Sequence, residues 1–366
     1  MLPYFVLEIL TVILAAGLGA VGSVHLVSCA GNKKCRFSGE GVYTFLCLLL
    51  LTLYMGLAGS FATDFAAYID IFQRVQEVDL IPLMTGTVYV YGEKGFLLLN
   101  WIVGRIFNTP WQYITVVALI INATILFETR RHTKHMALFL LFYINAGIYL
   151  QSYNMMRQAM AIGIVYFGTR WLEQRKYCFY ILCVLLASTI HTTAFLMLAA
   201  FPFLIQRVTK SATVVKIAAL VVIFLTLPQV VSFVQRFRYA STTYGLTGAS
   251  LNSVIVQIFI CLYVLFCAYC GVLDCECVQH RIMVNATMLF LGAEILSFRI
   301  MQLQRIGFYF STYTMVAAVE ATFRLPFQQK RNHWALACAV GALLILYGLV
   351  WITDSPYEPY TFFWQN

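Results

Sequence analysis

The sequence predicts an all-α polytopic membrane protein in which residues 1–366 form a single integral membrane domain. Its 366 residues are 61% hydrophobic and only 11% charged, and the mean hydropathy is +0.80. Soluble domains are about 45 to 50% apolar and about 25% charged. Apolar stretches also follow one another along the whole chain. These observations exclude a soluble globular enzyme, a disordered scaffold and a disulfide-built secreted module.

The apolar stretches define the predicted membrane segments, since a spanning helix needs about 20 apolar residues, with roughly 17 to 25 tolerated. The first stretch has no basic segment before it, so we interpret it as a retained span and not as a cleavable signal. The stretches of suitable length are 4–27, 41–59, 111–127, 136–152, 156–171, 212–230, 251–273, 282–298, 306–323 and 333–352.

The stretch 177–206 is too long for one ordinary helix and too short for two full ones, and the polar residues 188–193 lie in its middle. Short cytoplasmic loops carry an excess of Lys and Arg. Most of the 24 basic residues lie inside if 177–206 is a short broken helix pair that turns at His191. We therefore predict about 12 transmembrane segments, with both termini outside.

Residues 60–110 are predicted to form one large external loop that carries amphipathic and interfacial helices. The apolar run Gly95–Phe107 is too short to span, and a crossing there would place the basic cluster at Arg130 outside. The preceding segment 63–79 is amphipathic, because apolar residues recur at helical spacing. Long loops are where function concentrates.

Two arginines lie where a cation is unfavourable. Arg157 and Arg305 are predicted at the N-terminal ends of inward-running spans, where the helix dipole already presents about half a positive charge. Free N–H groups and a guanidinium together form a receptor for phosphate; the alternative is an arginine that snorkels to the interface. Arg299 and Gln302 join Arg305 at i, i+3, i+6 spacing if the intervening turn stays helical.

Three further polar residues have a structural and a functional interpretation. His191 is either a hydrogen-bonded packing residue or part of a site, because helix breaks at membrane depth are buried in protein or line a cavity. Asp64 and Glu93 precede loop helices and are candidate N-caps. The alternative is that one is a general base and the other orients a sugar. Aromatic residues nearby either stack on sugar rings or form an interface belt; they are Tyr68, Phe72, Tyr89 and Tyr91.

The sequence contains no motif for nucleotide or metal chemistry. No phosphate-binding glycine loop is present, and we interpret the net charge of +9 as topology and not as a sign of a nucleic-acid partner. Most of the 11 cysteines lie in apolar runs and behave as small hydrophobic residues. The group Cys270, Cys275, Cys277 and His280 has irregular spacing for a metal site. We predict no metal and no cofactor.

Six short segments, in the same order along nearly the full chain, carry a family resemblance. They are Thr63–Tyr68, similar to Gly-Thr-Asp-Tyr-x-x-Tyr; Glu93–Phe96, similar to Glu-Pro-Gly-Phe; Met156–Ala161, similar to Arg-Gln-x-x-Ala; Ala187–Ala194, similar to Phe-His-x-Ser-Ala; Arg305–Phe310; and Pro359–Phe362. On these segments the chain resembles the EpsG-like family of exopolysaccharide and capsule polymerases, related in role to Wzy-type O-antigen polymerases. Here Lys94 replaces Pro, Ile190 replaces Phe, and Ala58–Phe61 lacks an Arg that often precedes the Asp.

The resemblance implies a glycosyltransferase of the C superfamily in the bacterial cytoplasmic membrane, with its active site facing the periplasm or exterior. Its substrates are then polyprenyl-diphosphate-linked oligosaccharides, as donor and acceptor, within membrane lipid. A flippase and a chain-length regulator are the implied partners. Alternatives are a lipid-linked glycosyltransferase or ligase that transfers once, a transporter or flippase for the lipid-linked unit, and a sugar acyltransferase.

In this interpretation the acceptor hydroxyl displaces undecaprenyl diphosphate from the donor. Asp64 is the first candidate for the general base and His191 the second, while Glu93 positions the acceptor. Arg157, Arg299 and Arg305 neutralise the leaving diphosphate, which makes a metal unnecessary. The remaining predicted substrate-binding residues are Gln158, Gln302, Tyr68 and Tyr309.

Overall fold

The computed structural model describes residues 34–59, 64–209 and 251–353, together with shorter pieces between 6 and 27, between 213 and 249, and residue 362. Most of the predicted span 4–27 and parts of 212–230 therefore lie outside the described residues, as do Thr63 and most of Pro359–Phe362. The chain divides into two compact units. Unit 1 comprises Met1–Leu196 with Gly341–Asn366, and unit 2 comprises Met197–Val340.

Helices dominate the described residues, as the sequence predicts. The helices that begin in unit 1 are α1 Gly39–Gly56, α2 Phe65–Gln76, α3 Leu80–Thr85, α4 Lys94–Gly104, α5 Pro110–His132, α6 Met136–Asn145, α7 Ile148–Asn154, α8 Met156–Phe167, α9 Thr169–Glu173, α10 Tyr177–Ile190, the 3₁₀ turn Thr192–Phe195 and α11 Leu196–Ile205. The later helices are α12 Leu251–Tyr269, α13 Val278–Ser297, α14 Gln302–Arg324 and α15 Lys330–Thr353.

A short hairpin corrects the end of the helical span predicted at 4–27, whereas the described residues between 6 and 14 are helical. Strand β1, Ser23–Val27, pairs in antiparallel register with β2, Lys34–Ser38. Glycines 17, 19 and 22 precede β1 and weaken a helix there. Gly31 and Asn32 lie between the two strands in the sequence and are typical turn residues. The all-α prediction is therefore wrong at this one place among the described elements.

Two helices among the described residues are long and apolar enough to span a membrane, namely α1 and α5. Helices α6 and α7 pass the same test as a pair, with a bend of 51° between them. Helices α4, α10 and most of α12 are apolar but shorter. The described helices thus include two to three apolar spans, while the external position of 60–110 and the total of about 12 segments stay predictions.

The stretch 177–206 contains a helix break at His191. Helix α10 ends at Ile190, and His191 is extended, with φ −150° and ψ 116°, before the 3₁₀ turn begins. Ser188 and Thr189 donate from their hydroxyls to the carbonyls of Leu185 and Leu186. Such local side-chain bonds compete with the helical backbone pattern, which explains why the helix stops here.

Unit 2 contains α12, α13 and α14, with polar residues buried between them. Gln304 of α14 donates to Gln257 of α12 at 3.3 Å and to Glu294 of α13 at 3.2 Å. All three side chains are buried. Gly307 of α14 allows a close approach to α13, because a Cβ there would lie 2.9 Å from that of Ala293. These contacts join the three helices of unit 2.

In unit 1, a buried cluster of charges ties the end of α5 to α9. The fully buried Glu128 carboxylate contacts Arg131 and accepts a hydrogen bond from Nε of Arg170 at 3.0 Å. His132 lies between the two acids, with Nε2 3.4 Å from Glu128 and Nδ1 3.4 Å from Glu173. Breaking a buried ion pair is costly because it leaves the partner charges unpaired in a dry environment.

We expect Glu128→Gln to lower the free energy of unfolding by about 3 to 5 kcal/mol. Asp70→Asn is the matched control, since the Asp70–Arg74 pair of α2 is exposed, at 56% and 65% of the two side chains. An exposed pair contributes about 0 to 1 kcal/mol. Thermal unfolding in detergent measures both changes. Equal shifts in the two variants would show that the Glu128 cluster does not stabilise unit 1.

Candidate functional site

Three separate segments of unit 1 meet at the carboxylate of Glu93. This residue immediately precedes α4, and its Oε2 accepts a hydrogen bond from Nη1 of Arg157 at 2.7 Å. Its Oε1 accepts from the backbone N–H of Thr192 at 3.2 Å and lies 3.3 Å from Nδ1 of His191. The loop, the start of α8 and the break after α10 are thereby joined in one polar site.

Arg157 is the cation of this site. It is the second residue of α8, as predicted, and its side chain is only 14% exposed. Nη2 donates to the Tyr91 hydroxyl at 3.3 Å, and the guanidinium carbon lies 4.8 Å from the centre of the Tyr91 ring. Nε is buried and has no hydrogen-bond partner among the described residues. This enclosure argues against the snorkelling alternative.

Asp64 and Tyr68 adjoin the same site. The Tyr68 hydroxyl donates to the carbonyl of Asn154 at 3.2 Å, and the Asn154 side-chain oxygen accepts from the Asp64 backbone N–H at 3.4 Å. Burial raises the pKa of Tyr68, while the charge of Arg157 opposes the rise and that of Asp64 adds to it. Asp64 and Arg157 are therefore both within electrostatic reach of one phenol.

Asp64 and Glu93 occupy the N-cap positions of α2 and α4, but neither side chain makes a capping hydrogen bond. Burial would raise the pKa of Glu93, but the adjacent His191 imidazole, the charge of Arg157 and the hydrogen bond from the Thr192 N–H together lower it to about 2. Because this pKa is depressed, the ionised group stabilises the fold above its ordinary range near 4.5, and that contribution is lost as the pH falls towards 2. Glu93 is therefore an anion at neutral pH.

Gly95 permits the close approach on which this site depends. A Cβ at this position would lie 2.2 Å from Oγ1 of Thr189 and 2.8 Å from its backbone carbonyl oxygen. The start of α4 therefore packs directly against the last turn of α10. Only a residue without a side chain allows Glu93, two positions earlier, to reach the hinge.

We expect Gly95→Ala to reduce activity at least about tenfold, because moving α4 by even 1 Å misplaces the Glu93 carboxylate. Leu98→Ala is the matched control on the same helix, since Leu98 is exposed. Activity of each purified variant, normalised to folded protein from a thermal melt, measures the effect. Full activity in Gly95→Ala would show that the contact with Thr189 is dispensable.

The other predicted substrate-binding residues belong to both units. Gln158 is buried in α8 of unit 1, and Tyr309 is buried in α14 of unit 2. Arg299 of unit 2 lies with its guanidinium carbon 4.7 Å from the centre of the Phe224 ring. Gln302 has a buried Oε1 without a hydrogen-bond partner among the described residues, and Arg305 is exposed in the first turn of α14.

Two sequence-based expectations are corrected here. Residues 298–301 form a turn between α13 and α14, so the helical i, i+3, i+6 alignment of Arg299 with Gln302 and Arg305 does not exist. Phe72 is buried and stacks on Tyr113 with ring centres 4.6 Å apart, so it is a core residue and not a sugar platform. Tyr89 and Tyr91 are exposed.

Asn154 and Thr192 are parts of the site that sequence reasoning missed. Asn154 ends α7, and nothing in its local sequence distinguishes it from any other polar helix end. Thr192 follows the predicted hinge, and its shorter bond to Glu93 comes from a backbone N–H, which every residue except proline carries, while its hydroxyl donates to the same oxygen at 3.5 Å. Among the described residues, no group of three or more His, Cys, Asp or Glu side chains is placed to hold a metal ion.

Comparison with known proteins gives a match to one protein-family model. The model of the EpsG family matches residues 42–362, a range that includes Asp64, Glu93, Arg157 and His191. No curated protein and no solved structure matches the chain. The family and the geometry of unit 1 are therefore the basis for a functional assignment.

Proposed function

The chain belongs to the EpsG family of membrane-embedded, polymerase-type proteins of polysaccharide biosynthesis, and from that premise we propose that it joins undecaprenyl-diphosphate-linked oligosaccharide repeat units. The site lies at the outer face of the bacterial cytoplasmic membrane. The excess of basic residues in the predicted inner loops supports this orientation. The enzyme is then a glycosyltransferase whose leaving group is a lipid diphosphate.

One observation carries the proposal: Arg157 lies in the first turn of α8, enclosed with the Glu93 carboxylate, and Asp64 lies near Tyr68 of the same site. A helix N-terminus and a guanidinium are both complementary to phosphate oxygens. The acids beside it are suited to the acceptor, because carboxylates accept hydrogen bonds and protons from sugar hydroxyls. A cation for the leaving group next to a base for the nucleophile is what glycosyl transfer from a diphosphate requires.

In the proposed reaction the terminal hydroxyl of the acceptor attacks the anomeric carbon of the donor. The new C–O bond forms as the bond to the diphosphate oxygen breaks, and the electron pair departs with the lipid diphosphate. Asp64 takes the hydroxyl proton, with His191 as the second candidate, and Glu93 positions the acceptor. Arg157 neutralises the charge that develops on the leaving group, where electrostatic stabilisation contributes most.

Purified protein in detergent with a lipid-linked repeat unit tests this proposal. Polymerisation gives a ladder of products on a gel, whereas a single-transfer enzyme or ligase gives one shifted band. A transporter or flippase forms no new glycosidic bond in detergent. A ladder supports the proposed function, and either of the other results contradicts it.

A further inference from the structure

The two oxygens of the Glu93 carboxylate have separate partners. Oε1 is tethered to the hinge by the Thr192 backbone N–H and faces His191, while Oε2 binds Arg157. Loss of the bond to Arg157 therefore leaves Glu93 anchored through Oε1. Only Oε2 then becomes available to another donor.

The nitrogens of Arg157 are equally committed. Nη1 is bonded to Glu93 and Nη2 to Tyr91, and Nε is buried away from a ligand that arrives from solvent. A phosphate prefers two parallel N–H donors of one guanidinium. Each of these two nitrogens carries two N–H groups, so a phosphate that approaches the Nη1–Nη2 edge competes with the Glu93 carboxylate for the guanidinium, and it gains the full charge of Arg157 when it displaces that carboxylate.

We propose that Glu93 is an exchange residue that couples the two substrates: the donor diphosphate displaces its Oε2 from Arg157, and the released oxygen then holds a hydroxyl of the acceptor sugar. This inference rests on the proposed function, since it concerns how that site fills. A diphosphate carries more negative charge than one carboxylate, which favours the exchange at the cation.

The exchange imposes an order on binding. Before the donor binds, Oε2 is paired with the Arg157 guanidinium, which makes it a weaker acceptor for a sugar hydroxyl. After the donor binds, Oε2 is released, while the carboxylate is still held in place by the bond from Thr192 to Oε1. Because coupling between two ligands is reciprocal, the acceptor also strengthens binding of the donor. Glu93 is thus a positioning residue for the donor and a binding residue for the acceptor.

Binding of farnesyl diphosphate to the purified full-length protein in detergent tests the exchange. Glu93→Gln removes the competing charge, so we expect about fivefold tighter binding than in the wild type. Glu77→Gln is the matched control, because it removes the same charge from an exposed position of the same loop. It should bind the probe as the wild type does. Arg157→Ala should bind it at least about tenfold more weakly.

The outcomes separate this inference from the proposed function. If Arg157→Ala binds farnesyl diphosphate as tightly as the wild type, the proposed phosphate site is wrong. If Arg157→Ala weakens binding but Glu93→Gln binds no more tightly than the wild type, the exchange is refuted and the phosphate site stands. Tightening in Glu77→Gln equal to that in Glu93→Gln also refutes the exchange, because it shows an effect of loop charge alone.

A second measurement needs no variant, so it holds even if Glu93→Gln does not fold. Wild-type protein is titrated with the free repeat-unit oligosaccharide prepared from the native polymer, with and without saturating farnesyl diphosphate. We expect about fivefold tighter binding or more when the diphosphate is present. Equal affinity in the two titrations overturns the proposed coupling.

Discussion

Arg157→Ala is expected to abolish polymer formation while lipid-linked repeat units accumulate. Removal of one charged or hydrogen-bonding group that stabilises a developing anion costs about a hundredfold to a thousandfold in rate. The Arg157 side chain is only 14% exposed, so in Arg157→Ala water is poorly placed to stabilise the anion instead. Gel analysis of the polymer from cells that express each variant measures chain length and amount.

Two matched variants define the effect of Arg157. Arg74→Ala removes an arginine from α2, but its side chain is 65% exposed and pairs with Asp70, so polymer should be unchanged. Arg157→Lys keeps the charge but loses the planar fork, so we expect partial activity. Normal polymer from Arg157→Ala would remove the basis of the phosphate assignment.

Asp64→Asn is expected to lower the rate of polymerisation by about a hundredfold to ten-thousandfold, the usual contribution of a general base. The substitution is nearly isosteric, and the Asp64 contact with Asn154 is made by its backbone N–H, so the fold should be unaffected. The initial rate of ladder formation with purified protein measures the loss. His191→Ala in the same assay compares the second candidate base.

Asp70→Asn is the control for Asp64→Asn, because both residues belong to the α2 segment and Asp70 is exposed. It should retain full activity. A rate in Asp64→Asn close to that of the wild type, together with a large loss in His191→Ala, would transfer the role of base to His191. The two variants thus decide between candidates that sequence reasoning left open.

The helical segments were predictable because their signals are local. The hydropathy and length of the apolar stretches predicted the positions of α1 and α5. The polar residues 188–193 predicted the helix break at His191. The prediction that Arg299, Gln302 and Arg305 align on one helix face failed, because it required the helix to continue through the residues between α13 and α14. The turn at 298–301 separates Arg299 from the helix that carries Gln302 and Arg305.

The sequence by itself determined the membrane-embedded helical character, the hinge, and the residue types suited to phosphate and sugar. Only the tertiary structure decided which of these residues meet: Glu93 pairs with Arg157, 64 positions away, and accepts from Thr192, 99 positions away. Hydropathy and helix signals act over a few residues, whereas such pairings depend on how helices pack. The close contact of Gly95 in α4 with Thr189 in α10 is one example of such packing.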